Sequence, residues 1–193
     1  MVAILERKQS SPGSVSSNAY LSQEFSQPQT GNFSVQWDIY VDEILNISAP
    51  DRSGWMLIGD NTDSMRPGPN SDNSERFVYM AFFKDEGGSS GTMELVARDN
   101  DDDWTSFTTI DTGLNLDQWY TIRVDLNLDA DTYDVSVNDV YKSTLTSRVV
   151  KDSVTHISFA QWDTGAGTFY VDNVSATTVL LNNAPTSGFV SIV

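Results

Sequence analysis

Apolar and polar residues alternate most regularly between Gly31 and Leu45. Phe33, Val35, Trp37, Ile39 and Val41 fall on one side, and Ser34, Gln36, Asp38, Tyr40 and Asp42 on the other. A period of two is the signature of a strand with one buried face. Thr92 to Arg98, Gln118 to Leu126 and Thr132 to Asn138 show the same period, and Asn18–Phe25, Ser53–Gly59 and Trp104–Ile110 are further short strand candidates. Arg76 to Lys84, RFVYMAFFK, is apolar on both sides. It predicts a central strand covered on each face. Val154 to Thr177 predicts two strands around a glycine turn at Asp163–Gly167, with Phe169, Val171 and Asn173 on one face and Tyr170, Asp172 and Val174 on the other. Nowhere do apolar residues recur at three- and four-residue spacing over ten positions. Roughly ten short strands with turn signals between them predict an all-β antiparallel sandwich.

Two segments carry a resemblance. FYVDNV, Phe169 to Val174, resembles the closing strand of the concanavalin A-like lectin and laminarinase-type glucanase superfamily. DQWYTIRVDLNLDADTYDVSVND, Asp117 to Asp139, is similar to a hairpin common in the laminin G-like domains of that superfamily. The family has glycine at the hairpin tip where this chain has Asp139, so a different turn type is expected there. The resemblance implies a concanavalin A-like jelly roll over residues 18–177. Outside it lie an N-terminal arm, residues 1–17, and a C-terminal linker and strand, residues 178–193. NAPT, Asn183 to Thr186, resembles the lead-in to repeat domains of large bacterial and archaeal surface proteins.

Composition narrows the setting. Twenty-seven acidic residues against 11 basic give a formal net charge of −16, a surface that repels nucleic acid phosphates and anionic membranes. Aspartate outnumbers glutamate 21 to 6, as suits a chain rich in turns. There is no cysteine, so disulfides do not hold the fold. No apolar run approaches a membrane span, and Val2–Leu5 is too short for a secretory h-region. The setting expected from the resemblance is extracellular or at the cell surface. The polar stretch Asp60 to Glu75, DNTDSMRPGPNSDNSE, lacks periodicity, and a loop of that length is expected to be functional or mobile.

Candidate chemistry follows from residue types. The glucanases of this superfamily place catalytic carboxyls as E-x-D-x-x-E, and that spacing is absent around all six glutamates. Asp38, Asp42 and Glu43 form the nearest acidic group and read equally well as an outward polar row. His156, the single histidine, reads as a packing residue. A non-catalytic module is therefore expected. The resemblance implies structural calcium at Asp172, with Glu24 of the opening strand as a second ligand; Ca²⁺ takes six to eight oxygens. Asp99, Asp101 and Asp103 have loop-like spacing but lack the glycine and glutamate of a calcium loop.

Glycans stack on exposed aromatic rings. Trp104, with Arg98 before the acidic turn, and Trp55 and Trp162 at loop borders are the ligand candidates, whereas Trp37 and Trp119 are assigned to the core. Val2, Ile4 and Leu5, and Phe189, Val190 and Ile192, are apolar segments in the arms. They suit strand addition to other copies of the chain, hence a surface fibre or layer subunit. The alternative role is a carbohydrate-binding module of a secreted polysaccharide-active enzyme or adhesin. Asn32, Asn46 and Asn173 begin N-x-S sequons, which would carry glycans in a secreted protein.

Overall fold

The computed structural model describes residues 2–7, 9–11, 14–15, 18–45, 51–84, 91–99, 107–161 and 165–178. In chain order its strands are β1 (Ala3–Arg7), β2 (Gln9–Ser11), β3 (Ser14–Val15), β4 (Ala19–Gln29), β5 (Asn32–Ile44), β6 (Arg52–Gly59), β7 (Arg76–Lys84), β8 (Thr92–Ala97), β9 (Thr108–Asn115), β10 (Trp119–Asn127), β11 (Thr132–Val137), β12 (Val140–Thr146), β13 (Val154–Gln161) and β14 (Gly167–Thr178). The one helical piece among them is a 3-10 turn, Asn73–Glu75. Two six-stranded antiparallel sheets form a sandwich. Sheet I runs β1-β14-β5-β10-β11-β12 and sheet II runs β4-β13-β6-β7-β8-β9, while β2 and β3 form a small separate ladder. The all-β sandwich expected from the sequence is the observed fold.

The core lies between the sheets, as the alternation of β5 dictates. Phe33, Val35, Trp37, Ile39 and Val41 are fully buried, and Trp37 meets Phe159 of β13 edge to face, 5.7 Å between ring centres. In β7, Met80 and Phe82 enter this core. Tyr79, Ala81 and Phe83 face the other way and join a second buried cluster with Trp55, Leu57 and Val96 on the outer side of sheet II. The prediction of a strand covered on both faces holds.

That outer side is roofed by residues 60–75, a stretch expected to be functional or mobile. Glu75 organises it. Its carboxylate is fully buried and accepts from the backbone N–H of Asp63 at 2.8 Å, Ser71 at 2.9 Å and Asp72 at 3.1 Å. Asn70 donates to Ser158 Oγ at 2.6 Å, and Arg76 Nε donates to the Pro69 carbonyl at 3.0 Å. Gly59 makes the close approach possible, since a Cβ there would stand 1.8 Å from the Glu75 carbonyl oxygen.

Several pairings differ from expectation. β13 and β14 are not a hairpin. β13 pairs with β4 and β6 in sheet II, and β14 pairs with β1 and β5 in sheet I, so the connection crosses the sandwich. Gly167 at its end has φ 134°, and a Cβ there would lie 1.9 Å from the Glu43 carbonyl oxygen. The N-terminal segment read as an arm is the edge strand of sheet I. Ala3 to Arg7 pair with Val171 to Gly167 of the same chain, and Leu5 is buried. The strand-like segment Val2–Leu5 thus folds back on its own domain, because β14 offers it an open edge; Phe189, Val190 and Ile192 lie outside the described residues. Val140 to Thr146, read as a connection, is the edge strand β12. The turn before it places Asn138 (φ 50°) and Asp139 (φ 62°) in left-handed conformations, the type I′ geometry that suits a two-residue hairpin.

Candidate ligand-binding face

The outer side of sheet I is built by residues that alternate with the core. The registers of β14, β5 and β10 are in phase, so outward residues form rows across the strands. Tyr40 of β5 stands opposite Tyr170 of β14 and Trp119 of β10, and Ile4 of β1 stands opposite Tyr170. Ring centres are 5.6 Å apart for Tyr40–Trp119 and 5.6 Å for Tyr40–Tyr170, with interplanar angles of 50° and 82°. Trp119 is 43% exposed and Ile4 63%. Tyr40 and Tyr170 are half-buried. An exposed tryptophan within a row of rings departs from the usual place of this side chain, which is largely buried.

The next row is polar. Asp38 stands opposite Asp172 on one side and Thr121 on the other. Asp38 accepts from Thr121 Oγ1 at 2.6 Å and from Asn173 Nδ2 at 2.6 Å. Asp172 accepts from the Asn173 backbone N–H at 2.9 Å, which holds its carboxyl below the ordinary value. Tyr40 donates to Asp117 at 3.2 Å. Partial burial first, then the Asp117 charge, push its phenol above the ordinary value. Farther along, Arg123 bonds Asp125 at 2.8 Å, and Ser34 also donates to Asp125. Ser34, Gln36, Arg123, Ser175 and Thr177 line a shallow depression.

A bulge in β14 sets these rows. The register passes from Asp172↔Asp38 to Ser175↔Gln36, one residue more on β14 than on β5. Asn173 occupies the extra position with φ 52°, a conformation that asparagine tolerates better than most residues. Asn173 therefore does not share the inner face with Phe169 and Val171 as simple alternation predicts. Val174 and Ala176 turn toward the core instead, and Ser175 and Thr177 turn outward.

The structure redistributes the expected site residues. Trp55 is 1% exposed, packed on Tyr79 with ring centres 5.1 Å apart and capped by the Arg52 guanidinium at 5.9 Å. Arg98 is equally buried, its guanidinium 5.8 Å from the Phe107 ring. Neither forms a surface ligand patch, because both belong to the covered side of sheet II. Trp119, assigned to the core, points outward. Its neighbours Tyr120, Ile122, Val124 and Leu126 are the buried set of β10, so the parity of that strand carried the signal. Tyr40 and Tyr170 were legible as outward residues but not as a row.

Glu24 lies in sheet II, exposed, with His156 as its register partner, and so is not across a strand pair from Asp172. No group of three or more His, Cys, Asp or Glu able to hold a metal assembles among the described residues, and the side chains at Asp172 do not form a calcium cage. Asn173 and Asn32 belong to sheet I, the former committed to Asp38. Trp104, Trp162, Asn46, Asp101 and Asp103 lie outside the described residues. No helix among the described residues is long and apolar enough to cross a membrane.

No family model and no curated protein sequence matches this chain. Solved structures match it in fold. A sialidase superposes with a TM-score of 0.57 at 9% identity, over 84% of this chain and 14% of that one. A marine PL7 alginate lyase from Zobellia galactanivorans gives 0.54 at 17% identity, over 77% of this chain and 62% of that one. Xenopus laevis galectin-Ib gives 0.52 at 12% identity, over 82% of this chain and all of that one. The chain thus spans less than two thirds of the sialidase and of the lyase. These likenesses are of fold, and the fold is the concanavalin A-like jelly roll that the closing strand and the hairpin implied.

Proposed function

We propose that this chain is a non-catalytic, lectin-like module of an extracellular or cell-surface protein, and that it binds a glycan on the outer face of sheet I. The observation that carries this reading is the row Tyr170–Tyr40–Trp119 with Asp38 and Thr121 beside it. Apolar faces of pyranose rings pack on aromatic side chains, and nearby fixed polar groups orient the hydroxyls. The names of the fold neighbours, an alginate lyase and galectins among them, support carbohydrate as the ligand class. The non-catalytic reading rests on the missing E-x-D-x-x-E spacing and on the state of the acids present. Asp172 is held ionised by a backbone N–H, the opposite of a general acid. His156 lies in the other sheet, its Nδ1 engaged with Thr155 Oγ1 at 2.8 Å. The self-associating fibre role keeps as its support the exposed edge residues Val2 and Ile4, so glycan binding is placed first.

Replacing Trp119 by alanine tests the reading. Glycan affinity should fall at least about tenfold, as expected when a stacked aromatic is lost. Stability should fall by less than about 1 kcal/mol, since the ring is already largely in water. Calorimetry against a glycan panel and urea unfolding read the two quantities. A panel that leaves the wild-type chain silent in calorimetry removes the proposal.

A further inference from the structure

We propose that the glycan taken by this face carries free amino groups. The inference rests on the glycan reading above and concerns the charge and donor pattern of the same site. The polar row beside the rings is rich in acceptors. Thr121 and Asn173 already spend their donors on Asp38. A carboxylate offers about four acceptor sites, so two protein donors leave Asp38 able to accept from a ligand. An ammonium supplies three donors and no acceptor.

Charge points the same way. Asp38 and Asp172 stand in register on neighbouring strands, and Asp117 lies against Tyr40. The guanidinium of Arg123, farther along the face, is matched by Asp125 at 2.8 Å. The raised phenol of Tyr40, to which Asp117 and Asp42 contribute after burial, is a local sign of that negative field. Aromatic faces add attraction for a cation close to their rings. The net charge of −16 extends the same preference over the whole surface. A polyuronate or a sulfated chain would meet repulsion here. An amine-bearing pyranose chain presents C–H faces to the rings and ammonium groups to Asp38 and Asp172.

The test is calorimetry on the whole chain with three probes: a glucosamine oligomer, its fully N-acetylated counterpart and an alginate oligomer. At about pH 5.5, sugar amines are protonated and ordinary carboxylates ionised. At low salt the glucosamine oligomer should bind about tenfold more tightly than the acetylated one, and alginate should not bind. The advantage should vanish near 1 M salt, where the screening length falls to about 3 Å. The double variant Asp38→Asn with Asp172→Asn, isosteric at both positions, should erase the preference and leave the acetylated oligomer unaffected. Equal affinity for the amine and acetylated oligomers, binding of alginate, or a preference that survives the double variant overturns the inference while leaving the glycan reading intact. Silence with all three probes on the wild-type chain, together with a silent wider glycan panel, overturns both.

Discussion

The two sheets of this sandwich share one core yet treat their outer faces in opposite ways. Sheet I presents an open row, Tyr170–Tyr40–Trp119, over polar neighbours. Sheet II carries an equally aromatic set, Trp55, Tyr79 and Phe83, but buries it under residues 60–75 and arginine guanidiniums. Arg52 lies 5.0 Å from the Phe83 ring and Arg76 4.8 Å from Tyr79. Aromatic content alone therefore does not mark a ligand face. What marks it is whether the chain covers its own rings. On sheet II the aromatic area is spent on folding, with cation–π contacts adding to the burial. On sheet I the same kind of area is left in water, where it contributes little to stability and is available to a partner.

The sharpest way to break this contrast is to remove the roof. Glu75→Ala deletes the buried carboxylate that gathers the N–H groups of Asp63, Ser71 and Asp72. Hydrogen bonds to a charged group contribute about 1.5–3 kcal/mol each, and the donors left behind regain part of this from water. The expected loss is about 3 kcal/mol or more, read as a lower urea midpoint. Glycan affinity of the folded fraction should not change, because Trp119 is on the other sheet. If affinity falls with stability, the two faces are coupled and the division between them is wrong. If neither changes, Glu75 does not hold the roof.

A smaller effect is expected at the bulge that sets which residues of β14 face outward. Asn173→Val puts a β-branched side chain at φ 52° and should cost about 1–2 kcal/mol. Asn173→Gly should cost under about 1 kcal/mol, since glycine accepts that backbone and the lost bond to Asp38 is solvent-exposed. Unfolding midpoints of the two variants decide this. Equal losses would mean that the backbone conformation there is not the constraint.

That bulge also shows where the sequence stops speaking. The alternation of β5 and the unbroken apolar run of β7 foretold one half-open and one fully covered strand, and both readings hold because they depend on local period alone. Alternation gives a face and does not name a partner. Hence β13 and β14, adjacent in sequence, fall in different sheets, and β1 finds β14 across more than 150 positions. A single left-handed residue at Asn173 reverses the parity of every position after it, which no window of hydrophobicity reveals. The site was half legible. Tyr40 and Tyr170 lie on the outward parity, and Trp119 could be placed there by counting back from Tyr120. Trp55 and Arg98 were misplaced because their exposure depends on what the 60–75 segment covers, and its polar groups find their partners through tertiary contacts with Glu75, Arg76 and Ser158.

The smallest expected effect concerns the core that both faces share, and it has the opposite sign. Tyr133 of β11 is buried, 1% exposed, its ring 6.3 Å from Phe77. Its hydroxyl has no hydrogen-bond partner. Burial raises its pKa well above the ordinary value near 10. In the folded protein the phenol keeps its proton, while in the unfolded chain it ionises from about pH 10. Between those two values the folded state binds more protons, so stability falls as pH rises. The contribution is intact below about pH 10 and is lost progressively above it. Tyr133→Phe removes both the unpaired hydroxyl and this titration. It should stabilise the fold by about 1 kcal/mol at neutral pH and move alkaline unfolding upward. Neither the roof nor the glycan affinity should respond, because the change lies between the sheets. A variant that is less stable than the wild type at neutral pH would mean that the hydroxyl is satisfied in solution, by a buried water for example, and that the shared core is wetter than its packing implies.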